Sequence, residues 1–115
     1  MKLITKEIEK KLLKNNEMHE KFRKPYLKLF SPVGSSTWLI SEIESGSIEQ
    51  GNAVFFGLCD LGMGEPEVGA VSMQELASVR LPFGLGIERD LHWEPTKTLI
   101  EYAQEARAQG RIVQA

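Results

Sequence analysis

Apolar side chains recur every three or four residues along the N-terminal part of the chain. That spacing is typical of an amphipathic helix, which we predict over residues 5–23. Thr5 is its expected N-cap, and the Lys24-Pro25 pair ends it because the residue before a proline avoids helical backbone angles. The Asn15-Asn16 pair is the point at which this helix is most easily broken. The apolar stripe consists of Ile4, Ile8, Leu12, Leu13, His19 and Phe22.

The middle of the chain alternates between apolar and polar positions, which favours β-strands. The segment 26–30 is short and bounded by prolines, so we predict an edge strand or an extended entry segment there. The segment 53–61 is apolar on both faces. This predicts a central strand of a sheet, with a covering layer on each side.

A second strand is predicted over residues 37–44. Its alternation places Trp38 and Ile40 on one face and Leu39 and Ile43 on the other. The run then becomes polar and ends in a turn-rich connection, as expected for a strand that leaves the core.

The stretch FGLCDLGMGEPEVGAVS joins the apolar strand to another alternating run over residues 67–72. The glycine-rich break between them predicts a β-hairpin with a loop of about five or six residues. Ser72 and Glu75 then form a capping-box pattern, which predicts a short helix over residues 73–79.

The last two elements are a strand over 87–93 and a C-terminal helix that begins near Pro95. Thr96 or Thr98 is the expected cap of that helix, and Gly110 is its expected end. Its predicted apolar stripe consists of Leu99, Ile100, Ala103 and Ala106. The fold class is therefore α+β, with a mainly antiparallel sheet of four or five strands, an N-terminal helix, a short middle helix and a C-terminal helix.

Length and charge refine this picture. A chain of 115 residues with 42% hydrophobic residues predicts a single domain with one packed core. We divide it into a basic helix over 1–24, a sheet-rich core over 25–95 and a C-terminal helix over 96–110. Residues 1–30 carry a formal charge of about +5 and residues 31–115 about −7, by direct count.

The single cysteine excludes an intramolecular disulfide and a multi-thiolate zinc site. A reducing, cytoplasmic setting is expected, with no secretory signal and no membrane span. Cys59 lies in an apolar strand, where thiols are usually unreactive core residues, although His92 offers a base for a catalytic pair.

Two acidic segments are candidate sites. In DLGMGEPE, the spacing fits neither an EF-hand nor a P-loop, which leaves a solvated turn, a divalent cation site or a partner-binding loop. In ERDLHWEP, four polar side chains share one face of the predicted strand. They form a solvent-facing edge, a surface for a basic partner or, with help from other segments, a metal or acid–base site. The candidate partner-binding residues are Asp60, Glu65, Glu67, Glu88, Asp90, His92 and Glu94.

The basic helix is a third candidate, because its lysines could contact phosphates. It lacks the interleaved aromatics of a single-strand binder and the spacing of a DNA-reading motif. The candidate nucleic-acid-binding residues are Lys6, Lys10, Lys14, Lys21, Arg23 and Lys24.

Residues 24–102 resemble an uncharacterised family of bacterial plasmids, integrative elements and phages, a domain of unknown function. The resemblance rests on the stretches KLFSPVGSSTWLISEIE, FGLCDLGMGEPEVGAVSMQEL and GLGIERDLHWEP in order, and TLIEY follows them. Trp93 stands where the family pattern leads us to expect phenylalanine. The resemblance implies a mobile-DNA context and supplies no catalytic residues to assign to this chain.

The leading hypothesis is a small non-enzymatic accessory protein that binds a macromolecular partner, a basic protein, through the acidic segments. Such a protein would act in DNA transfer or in interference with host defence, without a cofactor or bound metal. The first alternative is a nucleic-acid-binding accessory domain, and the second is a metal-dependent enzyme built on Asp60, Glu65, Glu67 and His92. The sequence does not specify an oligomeric state.

Overall fold

The computed structural model describes residues 4–113 and has an α+β fold. A five-stranded antiparallel sheet lies between two helical layers, as the sequence predicts. Two single turns of 3-10 helix, Glu20–Phe22 and Pro82–Gly84, lie in the connections. The helices are α1 (Lys6–Asn15), α2 (Met73–Ser78) and α3 (Leu99–Gln109), and the strands are β1 (Leu27–Phe30), β2 (Thr37–Ser45), β3 (Val54–Asp60), β4 (Glu67–Ser72) and β5 (Glu88–Arg89).

The strand order across the sheet is β4-β3-β2-β1-β5, and all neighbours are antiparallel. The first four strands follow one another as hairpins, whereas β5 returns to pair with β1 through Leu29 and Arg89. The prediction that the segment 26–30 forms an edge strand is therefore wrong, because β5 lies outside it. The two edges of the sheet are β4 and β5.

The strand predicted over 87–93 is much shorter than expected, since only Glu88 and Arg89 are paired. The carboxylate of Asp90 accepts a hydrogen bond from the backbone N–H of His92, at 3.1 Å. This is the bond of an Asx turn, which draws the chain out of an extended conformation. The side chains of Leu91 and Trp93 consequently do not continue the strand, and Leu91 is exposed.

Each face of the sheet carries its own apolar cluster, so the prediction of a strand covered on both sides is confirmed for β3. Phe55 lies in the cluster beneath α1 and α2, and Leu58 lies in the cluster beneath α3. In the cluster beneath α3, Tyr102 takes the place that the sequence predicts for Ile100, and Ile100 is partly exposed. Burial of both faces supplies the hydrophobic stabilisation of the sheet.

A β-bulge changes the faces of β2. Ile40 pairs with Gly57 and Glu42 pairs with Phe56, so Ser41 is an extra residue on β2. Beyond the bulge the alternation is reversed, and Ile43 joins Ile40 in the cluster beneath α1. The prediction that Ile43 shares a face with Leu39 is therefore wrong.

The first helix ends at Asn15, so the prediction of one helix over residues 5–23 is wrong beyond that residue. Asn15 is buried, and its Nδ2 donates to the carbonyl oxygens of Lys24 and of Ser41, at 2.9 and 2.7 Å. Asn16 donates from its Nδ2 to the carbonyl of Ile43 at 3.1 Å. The two asparagines therefore fasten the end of α1 to the bulged part of β2.

The predicted helix caps are confirmed. The hydroxyls of Thr5, Ser72 and Thr98 each accept a hydrogen bond from the backbone N–H three residues later. In α3 the carboxylate of Glu101 also accepts from the backbone N–H of Thr98, which completes a capping box. Hydrogen bonds from Thr98, the backbone bond foremost, lower the pKa of Glu101. Gly110 ends α3 with a φ of 74°, a left-handed angle that glycine adopts without strain.

Candidate functional site

The β3–β4 hairpin ends in a loop over residues 61–66 that turns through two glycines. Gly62 has a φ of 78° and Gly64 a φ of 82°, angles that other residues adopt only with strain. A Cβ on Gly62 would lie 2.0 Å from the hydroxyl oxygen of Ser35, which belongs to the β1–β2 loop. The two loops are therefore in close contact at this end of the sheet.

Asp60 holds this loop in place and is buried, with only 4% of its surface exposed. Its Oδ1 accepts from the backbone N–H of Gly62 and its Oδ2 from the backbone N–H of Ile112, both at 2.9 Å. Both oxygens of the carboxylate are thus engaged with the backbone. The expectation that Asp60 contacts a partner is not supported, because its role here is to join the hairpin to the chain after α3.

The residues that follow Asp60 present apolar and acidic side chains to solvent. Met63 is 81% exposed and Leu61 is 56% exposed, and Glu65 and Glu67 are exposed beside them. We call these four residues the tip surface. Neither carboxylate has a cationic partner within 4.0 Å among residues 4–113. Exposed apolar side chains with polar residues around them mark sites of interaction with other proteins.

A groove of about 360 Å³ lies beside the tip surface, between the hairpin loop and the chain after α3. Arg111 supplies its only cationic side chain within the described part of the protein. The groove is lined by Ser35, Thr37, Asp60, Gly62, Gly64, Gly110, Arg111 and Ile112.

The second acidic segment lies at the opposite edge of the sheet. Glu88 is in β5 and the tip surface adjoins β4, so four strand spacings of about 4.8 Å separate these edges by about 19 Å. Beyond Arg89 the chain leaves the sheet, which carries His92 and Glu94 away from a common strand face. The structure therefore does not bring the two acidic segments together into one surface.

Asp90 is engaged inside the protein. Its Oδ2 accepts from Nζ of Lys28 at 3.2 Å, and Lys28 is almost completely buried. Burial raises the pKa of Asp90, but the hydrogen bonds from the His92 backbone and from Lys28 outweigh it, so the pKa lies below its ordinary value. Its carboxylate is partly exposed and is held in an ion pair with a buried lysine.

Cys59 shows the environment of a core thiol. It pairs with Trp38 on β2 and with Glu67 on β4, and burial raises its pKa. Its side chain packs against the cluster beneath α1, whereas His92 lies in the turn beyond β5. A raised pKa leaves little thiolate at neutral pH, so the geometry does not favour a Cys59–His92 nucleophile.

Between residues 4 and 113, no group of three or more His, Cys, Asp or Glu side chains could hold a metal ion. Asp60 and His92 belong to different ends of the sheet, and Asp60 is already bonded to backbone N–H groups. The arrangement therefore gives no support to shared coordination by Asp60, Glu65, Glu67 and His92.

None of the helices within residues 4–113 is long and apolar enough to cross a membrane.

The candidate nucleic-acid-binding residues fall into two groups. Arg23 is engaged, because its Nη1 lies 2.5 Å from Oε2 of Glu42 and its Nε donates to the carbonyl of Met18. Lys21 and Lys24 lie after α1 and are exposed. The remaining lysines, Lys6, Lys10 and Lys14, lie four residues apart on the exposed side of α1.

Two residues of the tip surface, Leu61 and Met63, were not among the sequence candidates, which were chosen for their charge. A signal was present, because large apolar residues in a glycine-rich loop have no core to enter. The anchoring role of Asn15 was also missed. Two asparagines in a predicted helix interior were the available signal, since asparagine favours helix ends and bonds to backbone groups.

A family model described as a protein of unknown function (DUF2958) matches residues 3–113. No curated protein and no solved structure matches the chain.

Proposed function

The chain belongs to the DUF2958 family of proteins of unknown function, and we propose that it is a non-enzymatic accessory protein that binds a basic protein through its tip surface. The observation that carries this proposal is the exposure of Leu61 and Met63 beside Glu65 and Glu67. Leu61, Met63 and Glu65 project from a loop that Asp60 ties to the chain after α3, and Glu67 begins β4 next to it.

The loop is suited to recognition because its backbone is restrained before a partner arrives. Two backbone hydrogen bonds to Asp60 and the contact with Ser35 reduce the conformational freedom that binding would otherwise remove. Met63 is a flexible apolar side chain that adapts to an opposing surface. The apolar pair would supply most of the affinity, while the carboxylates favour a partner of positive charge and speed its association.

We further propose that the protein acts in the cytoplasm as an accessory factor of a mobile genetic element, in DNA transfer or in interference with host defence. This part of the proposal rests on the resemblance described above and on the single free cysteine. The gene neighbourhoods of family members test it. Genes of conjugation, integration or phage replication beside most members support the proposal, and their absence from most neighbourhoods contradicts it.

The partner-binding proposal is tested by comparing tip variants in one capture experiment. Tagged wild-type protein, Leu61→Ser with Met63→Ser, and Glu65→Lys with Glu67→Lys are incubated with the same host lysate. Bound proteins are then quantified by mass spectrometry at low and at moderate salt. The control carries Leu13→Ser and Glu49→Lys, which change one exposed apolar and one exposed acidic residue outside the tip surface.

We expect a basic protein that wild type and control retain equally and that both tip variants lose. Loss through charge reversal should be greater at low salt, where charges are least screened. Equal recovery of every bound protein by all four chains would exclude the tip surface as the binding site.

A second function is favoured by the alignment of Lys6, Lys10 and Lys14 on α1. Residues four apart lie on the same side of a helix, about 6 Å from one another, and these three have no carboxylate within 4.0 Å in the described chain. Such a row of charges would contact the phosphates of a nucleic acid without reading its sequence.

A gel shift at increasing salt tests this second function. Changing the three lysines to glutamine should abolish binding, whereas changing Arg80, Arg107 and Arg111 to glutamine removes the same charge elsewhere and should preserve it. Failure of wild-type protein to shift DNA or RNA at low salt would end the nucleic-acid proposal. It would leave the proposal for the tip surface unaffected.

A further inference from the structure

A small cleft opens where β5 ends and the chain leaves the sheet. Its volume is about 170 Å³, and its walls come from α1, from the start of β1 and from the segment after β5. The side chains that matter for its chemistry are Lys11, Tyr26, Lys28, Arg89, Asp90 and Trp93. The cleft lies at the sheet edge opposite β4, and its chemistry is independent of the tip surface.

Two hydrogen-bond donors at this cleft are buried without an acceptor. Nε of Arg89 and Nε1 of Trp93 are shielded from solvent, and neither has a hydrogen-bond partner within residues 4–113. Most buried donors in folded proteins are paired, because an unpaired buried donor is costly. Both donors belong to residues that line the same cleft, and the Trp93 ring also packs against Tyr102 beneath α3. An acceptor that enters the cleft would complete them once these side chains turn toward it.

Arg89 is the cation at the cleft that is available to an anion. Of the other two cations that line it, Lys28 is paired with Asp90 at 3.2 Å and Lys11 with Glu7 at 3.7 Å, and Glu94 is the remaining carboxylate. Asp90 is already neutralised by Lys28 and accepts from the His92 backbone, so it opposes an incoming anion only weakly. Arg89 forms no ion pair within the described chain.

Lys28 contributes further hydrogen-bond donors at the cleft. Only 5% of its surface is exposed, and its ammonium group donates a hydrogen bond to Oδ2 of Asp90 at 3.2 Å. An ammonium group has three donors, so two remain for other acceptors. The ammonium of Lys11 lies 5.5 Å from the centre of the Tyr26 ring, at the side of the cleft formed by α1.

We propose that this cleft binds a small oxyanion, a carboxylate or a phosphate, through the guanidinium of Arg89 and the indole N–H of Trp93. The Nε–H and one Nη–H of an arginine form a fork that matches two oxygens of such a group. A volume of 170 Å³ corresponds to about five or six waters at about 30 Å³ each, which suits a single phosphate or a short carboxylate. A nucleotide is too large for it.

The two tryptophans make the proposal testable in the unmodified protein. Full-length chain labelled with ¹⁵N is titrated with sodium phosphate or sodium acetate at constant ionic strength, with sodium chloride as the reference salt. The indole N–H signal of Trp93 reports on the cleft. Trp38 lies in the cluster beneath α1 and is the internal control.

We expect the Trp93 signal to move to a plateau with phosphate, acetate or both, while the Trp38 signal remains fixed. A tighter response to phosphate assigns a tetrahedral ligand, and a tighter response to acetate assigns a carboxylate. No saturable movement with either anion, or equal movement of both tryptophans, would overturn the proposal.

Two variants distinguish the paired N–H groups of the Arg89 guanidinium from its positive charge. Arg89→Gln should weaken the response about tenfold to a hundredfold, which is the usual contribution of a charge-assisted hydrogen bond. Arg89→Lys keeps the charge but lacks the fork, and it should weaken the response nearly as much. An unchanged affinity in both variants, with spectra that show a folded chain, would contradict the role of Arg89.

Discussion

The buried polar residues of this protein connect segments that are distant along the chain. Asp60 joins the hairpin to Ile112, Asn15 joins α1 to the bulge of β2, and Lys28 joins β1 to Asp90. Each group would be costly if it were buried without a partner, and each therefore has one. The sequence did not predict these roles, because a polar residue read alone gives no indication of which distant backbone group it will meet.

Replacing Asp60 with asparagine should lower the free energy of unfolding by about 1–3 kcal/mol. Asparagine has the same shape, but its amide NH₂ cannot accept from Gly62 or Ile112, so one of these donors loses its acceptor. Urea unfolding measures the change, and hydrogen exchange at Ile112 should accelerate. Glu65→Gln is the control and should leave both quantities unchanged, because Glu65 is exposed.

Asp90 should make stability depend on pH. Its pKa in the folded protein lies below the ordinary value of 3.8, so its contribution is complete above that value and is lost as pH falls through the folded pKa. Asp90→Asn should be less stable than wild type at pH 7, and the difference should shrink as pH falls below 3.8. Urea midpoints from pH 7 to pH 2 measure this, and a constant difference would contradict the role of the ion pair.

At the scale of elements, the periodic patterns predict the strands β2, β3 and β4 and the caps of all three helices. They do not predict the bulge at Ser41, because a reversal of alternation leaves no local mark in a run that is apolar on both faces. They also predict the last strand to be longer than it is. The chain turns at Asp90 through a single side-chain hydrogen bond, which the alternation of apolar and polar residues does not reveal. Of the candidate site, the sequence predicts the position of the loop over residues 61–66. It does not predict that Asp60 is buried beneath this loop and bonded to backbone N–H groups.

Gly57 is required by the close approach of β2 at the bulge. A Cβ at this position would lie 2.1 Å from the carbonyl oxygen of Leu39, whereas Gly69, its partner on β4, has open space. Gly57→Ala should therefore lower the free energy of unfolding by about 1–3 kcal/mol or more. Gly69→Ala should change it little or raise it slightly, as measured by thermal and urea unfolding. Equal effects of the two substitutions would contradict the packing described here.

The asparagines that end α1 provide a second matched pair. Asn15→Ala leaves the carbonyls of Lys24 and Ser41 without this donor, the second of them buried, and should cost about 1–3 kcal/mol. Asn16→Ala removes one bond from an exposed side chain and should cost less. Urea unfolding ranks the two variants. The reverse order would mean that the buried amide does not fasten α1 to β2.

At the scale of the whole molecule, the two-faced β3 predicts the three-layer architecture, but nothing local specifies the strand order. That order separates the tip surface from the cleft at β5, which lie at opposite edges of the sheet. The ligand proposed for the cleft and the partner proposed for the tip surface would therefore not exclude one another. The positive charge of residues 1–30 is also partly neutralised within the protein. Arg23 and Lys28 are paired with Glu42 and Asp90, which belong to the acidic part of the chain.

The strand order also has a consequence for the time course of folding. Pairing among β1, β2, β3 and β4 closes only short loops, whereas β5 must find β1 across about half of the chain and gains only two paired residues by doing so. Loop closure over a longer segment is slower and costs more entropy. We expect the four-stranded meander to form first and β5 to dock last. In native hydrogen exchange the amide of Asp90, which donates to the carbonyl of Lys28, should open well before those of β3.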